Sequence, residues 1–222
     1  MNCHEKNRLG AVLALLAASA LWCATALAAP VDTGFVDVDP SAWYAEAIQY
    51  VKTRGIMGGS GDTFNPDGLT SRAQLTAILY RAAGSPTPAA KAEFSDVAPT
   101  AYYADAVNWA VGEGLIAGYG DGTFGSNNSI TRQQLAAILW RSAGSPETVP
   151  NLDFDDAAEI SAYAAQAVTW ATENHIINGN GGKFLPATRA TRAQVAVILK
   201  NYMESGAAVQ AVLFEAAGGA AS

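Results

Sequence analysis

One unit recurs three times along this chain at a fixed interval of 60 residues, and this repeat constrains the fold more than any other feature. The clearest copies read TSRAQLTAILYR at 70–81, ITRQQLAAILWR at 130–141 and ATRAQVAVILKN at 190–201. Upstream of each stands a second shared stretch, which begins FVDV at Phe35, FSDV at Phe94 and FDDA at Phe154. A fixed internal period indicates one supersecondary unit used repeatedly.

Apolar residues recur within each unit at the spacing of two helices. In the first copy Tyr44, Ala47, Ile48 and Val51 predict the first helix, and a glycine-rich loop follows it. The second helix carries the apolar sets Leu75, Ile78 and Leu79; Leu135, Ile138 and Leu139; and Val195, Ile198 and Leu199.

A unit of this length buries too little apolar surface to be stable alone. We therefore predict a mainly α protein with three tandem helix-loop-helix modules in a pseudo-threefold arrangement around a central helix bundle. The expected modules span 35–83, 94–143 and 154–203, and a short Ala/Gly-rich tail covers 204–222.

The first 28 residues predict a secretory signal peptide. Lys6 and Arg8 precede an apolar run that ends in an Ala-x-Ala cleavage site at Ala26–Ala28. Both cysteines, Cys3 and Cys23, lie in this leader, so we expect neither disulfides nor thiolate chemistry in the exported chain. We also expect no membrane span after the leader. Whether the chain is a minimal anchor or belongs to a larger protein stays open.

Acidic residues outnumber basic ones, 20 to 13, which gives a formal net charge of −7. The charge is near −8 without the leader's Glu5, Lys6 and Arg8. This balance disfavours nucleic acid and anionic membranes as partners. An anionic partner would have to be recognised by a few local cations.

Each second helix opens with a capping-box pattern, [ST]-x-x-Q. It accounts for Ser71, Thr131 and Thr191 and for Gln74, Gln134 and Gln194, but not for the arginine between them. A cation at the start of a helix opposes the helix dipole. Arg72, Arg132 and Arg192 therefore suggest either a structural ion pair with Asp37, Asp96 or Asp155, or a carboxylate-bearing ligand.

In its motifs and their order the chain resembles the S-layer homology (SLH) family. Copy one has FVDV, WYAEAI, GIMGG, GDTF and SRAQ, and copy two has FSDV, YYADAV, GLIAG, GYGDGTF and ITRQQ. Copy three is looser, with FDDA, AYAAQAV, HIING and ATRAQ. The resemblance covers three modules, nearly the whole chain after the leader. It implies a three-pronged body around a central helix bundle.

The resemblance also implies a function, which is non-covalent attachment of an exported protein to the cell wall at the cell surface. Grooves between the prongs would bind secondary cell wall polysaccharide, often bearing pyruvyl ketals; related single modules contact peptidoglycan instead. The implied ligand-binding residues are Arg72, Arg132 and Arg192; Asp37, Asp96 and Asp155; Trp43 and Tyr102; and Gly59, Gly118 and Gly179.

Copy three departs from the family pattern, with Ala162 at the aromatic position, Ala157 for valine and His175 for a glycine that ends the first helix. We therefore expect binding by copies one and two more than by copy three. For Gly59, Gly118 and Gly179 the simplest expectation is a left-handed conformation at a helix end, with a groove-lining role compatible with it.

Other functions remain as alternatives. A self-assembling S-layer component and a peptidoglycan-binding protein are both compatible with the repeats. A secreted carbohydrate-active enzyme is the rival from another class, with Asp37 and Asp39 or Asp155 and Asp156 as candidate carboxylates. A feature repeated three times suits multivalent binding better than catalysis. We predict no catalytic residues, no metal site and no cofactor.

Overall fold

The computed structural model describes residues 31–206, so the predicted signal peptide and most of the tail lie outside the described residues. This part of the chain contains six α-helices and two single-turn 3-10 helices. The α-helices are α1 Ala45–Thr53, α2 Arg72–Ala82, α3 Ala104–Gly112, α4 Arg132–Ser142, α5 Ala165–Glu173 and α6 Arg192–Glu204. The short turns Ala157–Glu159 and Ala162–Ala164 precede α5. The prediction of a mainly α protein with three repeats is confirmed.

All three predicted capping boxes form at the starts of α2, α4 and α6. In α2 the backbone N–H of Gln74 donates to Ser71 Oγ at 3.2 Å, and the N–H of Ser71 donates to Gln74 Oε1 at 2.9 Å. The same reciprocal pair begins α4 and α6. Two backbone donors at each helix start are thereby satisfied, which contributes about 1 kcal/mol per cap.

The predicted apolar faces of the second helices form the core. Leu75, Leu135 and Val195 have no exposed surface, and the other six large apolar residues at the predicted positions are also buried. Trp109 and Trp170, on the first helices of the second and third modules, are buried as well. The hydrophobic periodicity of the sequence therefore identifies the buried faces correctly.

The closest helix pairs join different modules. Helix α2 of the first module packs on α3 of the second, α4 on α5 of the third, and α6 returns to α1 of the first. Each module therefore covers its second helix with the first helix of the next module, and none of the three buries its core alone.

Backbone hydrogen bonds just before the second helices also join the three modules in a cycle. Thr70 N–H donates to Ala190 O at 3.0 Å, Ala190 N–H to Ile130 O at 2.9 Å, and Ile130 N–H to Thr70 O at 2.9 Å. These three bonds close a ring, which we call the central ring. A pseudo-threefold arrangement requires such repeated contacts; that arrangement and the central helix bundle stay predictions.

His175 occupies the helix-end position of α5 where the other modules have Gly55 and Gly114. All three residues have positive φ, 56° for His175 and 67° and 68° for the glycines. The left-handed conformation suits glycine because it has no Cβ. Between residues 31 and 206, no helix combines the length and hydropathy needed to cross a membrane.

Candidate ligand-binding grooves

The motif arginines clamp each module to the next one. Arg72 donates from Nε to Phe124 O at 3.0 Å and from Nη2 to Ala117 O at 2.8 Å, both in the second module. Arg132 makes the same pair of bonds to Phe184 O and Asn178 O of the third module, both at 2.8 Å. Arg192 bonds Phe64 O at 2.8 Å and Gly58 O at 2.6 Å in the first. Each guanidinium group therefore donates to two backbone carbonyl groups that lie in loops, outside the helices.

These contacts give the motif arginines a structural role. It differs from both alternatives drawn from the sequence, an ion pair with an aspartate and a carboxylate-bearing ligand. Among the described residues no carboxylate lies within ion-pair distance of Arg72, Arg132 or Arg192, so the first of the two alternatives, a structural ion pair with an aspartate, is wrong. Arg72 and Arg132 are only 5% and 9% exposed, and burial lowers the pKa of all three guanidinium groups. A guanidinium has five N–H donors, and the two carbonyls leave the rest for another acceptor.

The predicted aspartates organise the loop before each second helix. Asp37 accepts from the backbone N–H of Phe64 at 2.7 Å and of Asn65 at 2.6 Å. Asp96 accepts from Phe124 at 2.7 Å and from Gly125 and Ser126, both at 2.9 Å. Burial raises the pKa of both carboxyl groups, but the backbone donors outweigh it and the net pKa lies below its ordinary value.

In the third module this loop-organising role belongs to Asp156 and not to Asp155, the aspartate that the family resemblance suggested for ligand binding. Asp156 accepts from Phe184 and Leu185 N–H, both at 2.8 Å, while Asp155 is exposed. Asp156 stands two residues after Phe154, as Asp37 does after Phe35, and the carboxylate at this position accepts the backbone N–H groups of the loop. Its pKa is raised by burial and lowered more by the backbone donors and by Lys183.

The predicted glycines are required by close packing. Gly59, Gly118 and Gly179 do not have positive φ, so the expected left-handed helix end is wrong for them. A Cβ on Gly118 would lie 2.4 Å from Phe94 Cε1 and 2.8 Å from Thr123 O. The other two glycines meet the phenylalanine that opens their own module and a loop carbonyl in the same way.

Trp43 and Tyr102 are 68% and 74% exposed, unusual fractions for large aromatic residues. Sequence comparison placed Ala162 at their position in copy three, and this is wrong. Both aromatics stand two residues before the first helix of their module, and Tyr163 stands two residues before α5. Tyr163 is 52% exposed. The third module opens with one extra residue, which shifted the alignment.

Motif arginines and exposed aromatics meet in three grooves, which we name after the second helix that forms one wall. The α2 groove, about 210 Å³, brings Arg192 and Tyr102 to α2. The α4 groove, about 270 Å³, brings Arg72 and Tyr163 to α4, and the α6 groove, about 300 Å³, brings Arg132 and Trp43 to α6. Each groove therefore takes side chains from all three modules.

The walls of the grooves hold polar donors and no acid. None of the three is lined by an aspartate or glutamate, although the chain is acidic. The capping residues Gln74, Gln134 and Gln194 line one groove each, with Oε1 committed to the N-cap. Gly59 and Gly118 also line grooves, whereas the predicted Asp37, Asp96 and Asp155 do not.

Arg81 and Arg141 line the α2 and α4 grooves, and sequence reasoning missed both. Each stands nine residues after a motif arginine, at the repeat interval of 60 residues. This periodicity was the available signal.

Known proteins with similar sequences are much longer than this chain. An amylopullulanase of Thermoanaerobacterium thermosulfurigenes is 32% identical over 180 residues, which cover 78% of this chain and 10% of that protein. Exoglucanase XynX of Acetivibrio thermocellus is 32% identical over 169 residues, 73% of this chain and 16% of that protein. A surface-layer 125 kDa protein of Lysinibacillus sphaericus is 29% identical over 170 residues, 74% and 14% of the two chains.

The profile of the S-layer homology domain matches the chain three times, at residues 34–76, 93–136 and 153–196. These stretches contain the loop, the glycine and the arginine described above for each module, and together they cover more than half of the 222 residues. The chain therefore belongs to the S-layer homology domain family.

Proposed function

We propose that the three modules anchor an exported protein non-covalently to the bacterial cell wall by binding secondary cell wall polysaccharide in the α2, α4 and α6 grooves. Relatives named as surface-layer, S-layer and middle cell wall proteins support a place at the cell surface. The observation that carries the proposal is the threefold recurrence of a guanidinium and an exposed aromatic in a groove without acids.

The chemistry of the grooves suits an anionic sugar. An exposed ring such as that of Trp43, Tyr102 or Tyr163 offers an apolar face to a sugar, while the polar edge of the ring stays in contact with water. Arginine N–H groups bind carboxylates such as a pyruvyl ketal with directional hydrogen bonds. Volumes of about 210–300 Å³ fall at or below the small end of the range for ligand sites. Each groove thus suits one substituted sugar unit of a polymer.

Binding fits the aspartates better than catalysis does. A glycosidase needs a carboxyl group whose pKa is raised so that it can donate a proton. Asp37, Asp96 and Asp156 have lowered pKa values because backbone N–H groups occupy their oxygens after burial has raised them. We therefore propose that the modules themselves are non-enzymatic.

Co-sedimentation with cell-wall sacculi tests the proposal. The protein should pellet with intact sacculi and stay in the supernatant after acid has removed the secondary polysaccharide. Equal pelleting with both would indicate that the ligand is peptidoglycan and not the secondary polysaccharide. No pelleting with either would contradict wall anchoring.

Replacing the exposed aromatics separates ligand contact from folding. The triple variant Trp43→Ala, Tyr102→Ala and Tyr163→Ala should lose pelleting while its unfolding midpoint stays near that of the parent. Tyr202→Ala is the matched aromatic control, because Tyr202 has no exposed surface and lines none of the three grooves. It should lower stability instead.

A further inference from the structure

The three grooves differ at one position of the repeat. Arg81 lines the α2 groove and Arg141 the α4 groove, whereas the residue 60 positions further on, in the α6 groove, is Asn201. Two grooves therefore carry a second guanidinium beside the motif arginine, and the third carries an amide in its place.

The second arginines are less committed than the motif arginines. Arg81 is exposed and donates only from Nε, to Ala77 O of its own helix at 3.1 Å. Arg141 donates from Nη1 to Leu115 O at 3.1 Å. Most of their N–H donors have no acceptor among the described residues, and no acid lines their grooves. Burial lowers the pKa of Arg192, and the nearby positive charge of Arg81 lowers it further.

The α6 groove is lined by amides. Asn178, Asn180, Gln194 and Asn201 face it together with Trp43. Asn201 Nδ2 donates to Ile176 O at 3.4 Å, which leaves its Oδ1 without a donor among residues 31–206. The remaining cation, Arg132, is 9% exposed and holds two carbonyls. Amides both donate and accept, as hydroxyl and N-acyl groups of neutral sugars require.

We propose that the grooves divide into two classes: the α2 and α4 grooves bind carboxylate-bearing sugars through Arg81 and Arg141, and the α6 groove binds a neutral N-acetylated sugar against Trp43. This assignment rests on the proposed wall-glycan binding and specifies it. One chain would then bind two kinds of sugar unit in one wall polymer.

Isothermal titration calorimetry with two probes tests the division. The probes are an N-acetylhexosamine bearing a pyruvyl ketal and the same sugar without the ketal. The parent chain should bind the ketal sugar at two tight sites, Arg81→Asn or Arg141→Asn should keep the affinity of only one of them, and the double variant should keep that of neither. Loss of a charge-assisted hydrogen bond should weaken each affected site about tenfold or more.

The reciprocal variant Asn201→Arg converts the α6 groove into the other class. It should raise the stoichiometry for the ketal sugar from two to three and weaken the ketal-free sugar. The indole N–H resonance of Trp43 reports on the same groove by NMR. In the parent chain the ketal-free sugar should shift it, and the ketal sugar should do so only in Asn201→Arg.

The outcomes distinguish this inference from the proposed function. Three equal ketal-sugar sites in the parent chain, or an unchanged stoichiometry in Asn201→Arg, would overturn the division while wall binding stands. Absence of binding by either sugar, together with no pelleting on sacculi, would overturn both. Circular dichroism of each variant confirms that the helices are retained.

Discussion

Arg72 Nη2 lies 2.8 Å from the carbonyl oxygen of Ala117, a residue of the next module 45 positions along the chain. The contact shows that Arg72, a residue for which the sequence suggested a ligand, joins two modules. Any effect of removing a motif arginine therefore combines stability with affinity, and the two must be measured separately.

The three motif arginines should differ in their contribution to stability. Arg72→Ala and Arg132→Ala should each lower the free energy of unfolding by about 2–4 kcal/mol, because two carbonyls per site lose a charged donor. Arg192→Ala should cost less, since Arg192 is partly exposed. Urea unfolding measures the order, with Arg189→Ala as the exposed control. Equal stability of parent and Arg72→Ala would contradict the clamp.

Thr70 brings a hydroxyl to the central ring without a partner. Its Oγ1 is the one fully buried side-chain polar atom between residues 31 and 206 that lacks a hydrogen bond, and the corresponding residues are Ile130 and Ala190. Thr70→Val should raise the free energy of unfolding by about 1–2 kcal/mol, because an unsatisfied buried hydroxyl is replaced by a methyl group. Thr70→Ser keeps the hydroxyl and should not stabilise. Denaturant midpoints decide between them.

Asp156 and Asp155 form a natural matched pair. Asp156→Asn should destabilise by about 1–3 kcal/mol, because an amide offers one acceptor oxygen to two backbone donors. Asp155→Asn should change stability by less than about 0.5 kcal/mol. Chemical denaturation at pH 7 checks this, and equal losses in the two variants would contradict the assignment of Asp156.

The lowered carboxyl pKa values also fix the sign of the pH dependence. Asp37, Asp96 and Asp156 titrate below the ordinary value of 3.8 in the folded protein. Their stabilisation is therefore complete above that value and is lost as the pH falls through the lower folded pKa. Asp156→Asn should flatten the fall of stability between neutral pH and about pH 3. An unchanged acid slope would contradict it.

Gly118 should not tolerate a methyl group. Gly118→Ala brings Cβ within 2.4 Å of Phe94 Cε1, so we expect a loss of about 1–3 kcal/mol from overpacking. Gly112, the last residue of α3, has open space at its Cβ and no positive φ. Gly112→Ala should be neutral or stabilise by up to about 1 kcal/mol. Thermal unfolding of the two variants makes the comparison.

Local patterns were enough to predict the helices, their buried faces and the capping boxes. Leu75, Ile78 and Gln74 each act within a few residues of themselves, and their spacing therefore carries the information. The partners of Arg72 are 45 and 52 residues away, and backbone carbonyls leave no signature in a sequence. The ion-pair hypothesis failed because it considered only side chains as acceptors.

The misplaced aromatic position in the third module has a physical origin. Its opening segment has one residue more between Phe154 and the first helix than the other modules have, and it forms two 3-10 turns there. Counting letters forward from Phe154 reached Ala162, whereas counting back from α5 reaches Tyr163. The expectation that copies one and two bind better than copy three cannot be assigned to single modules, because each groove takes residues from all three.

The composition of the grooves has a consequence for truncation. The α2 groove needs Arg192 of the third module and Tyr102 of the second, and the other two grooves are divided in the same way. A shortened chain with two modules would therefore not keep two of the three grooves. It would have no complete groove at all, so three modules are the smallest unit that can form even one groove.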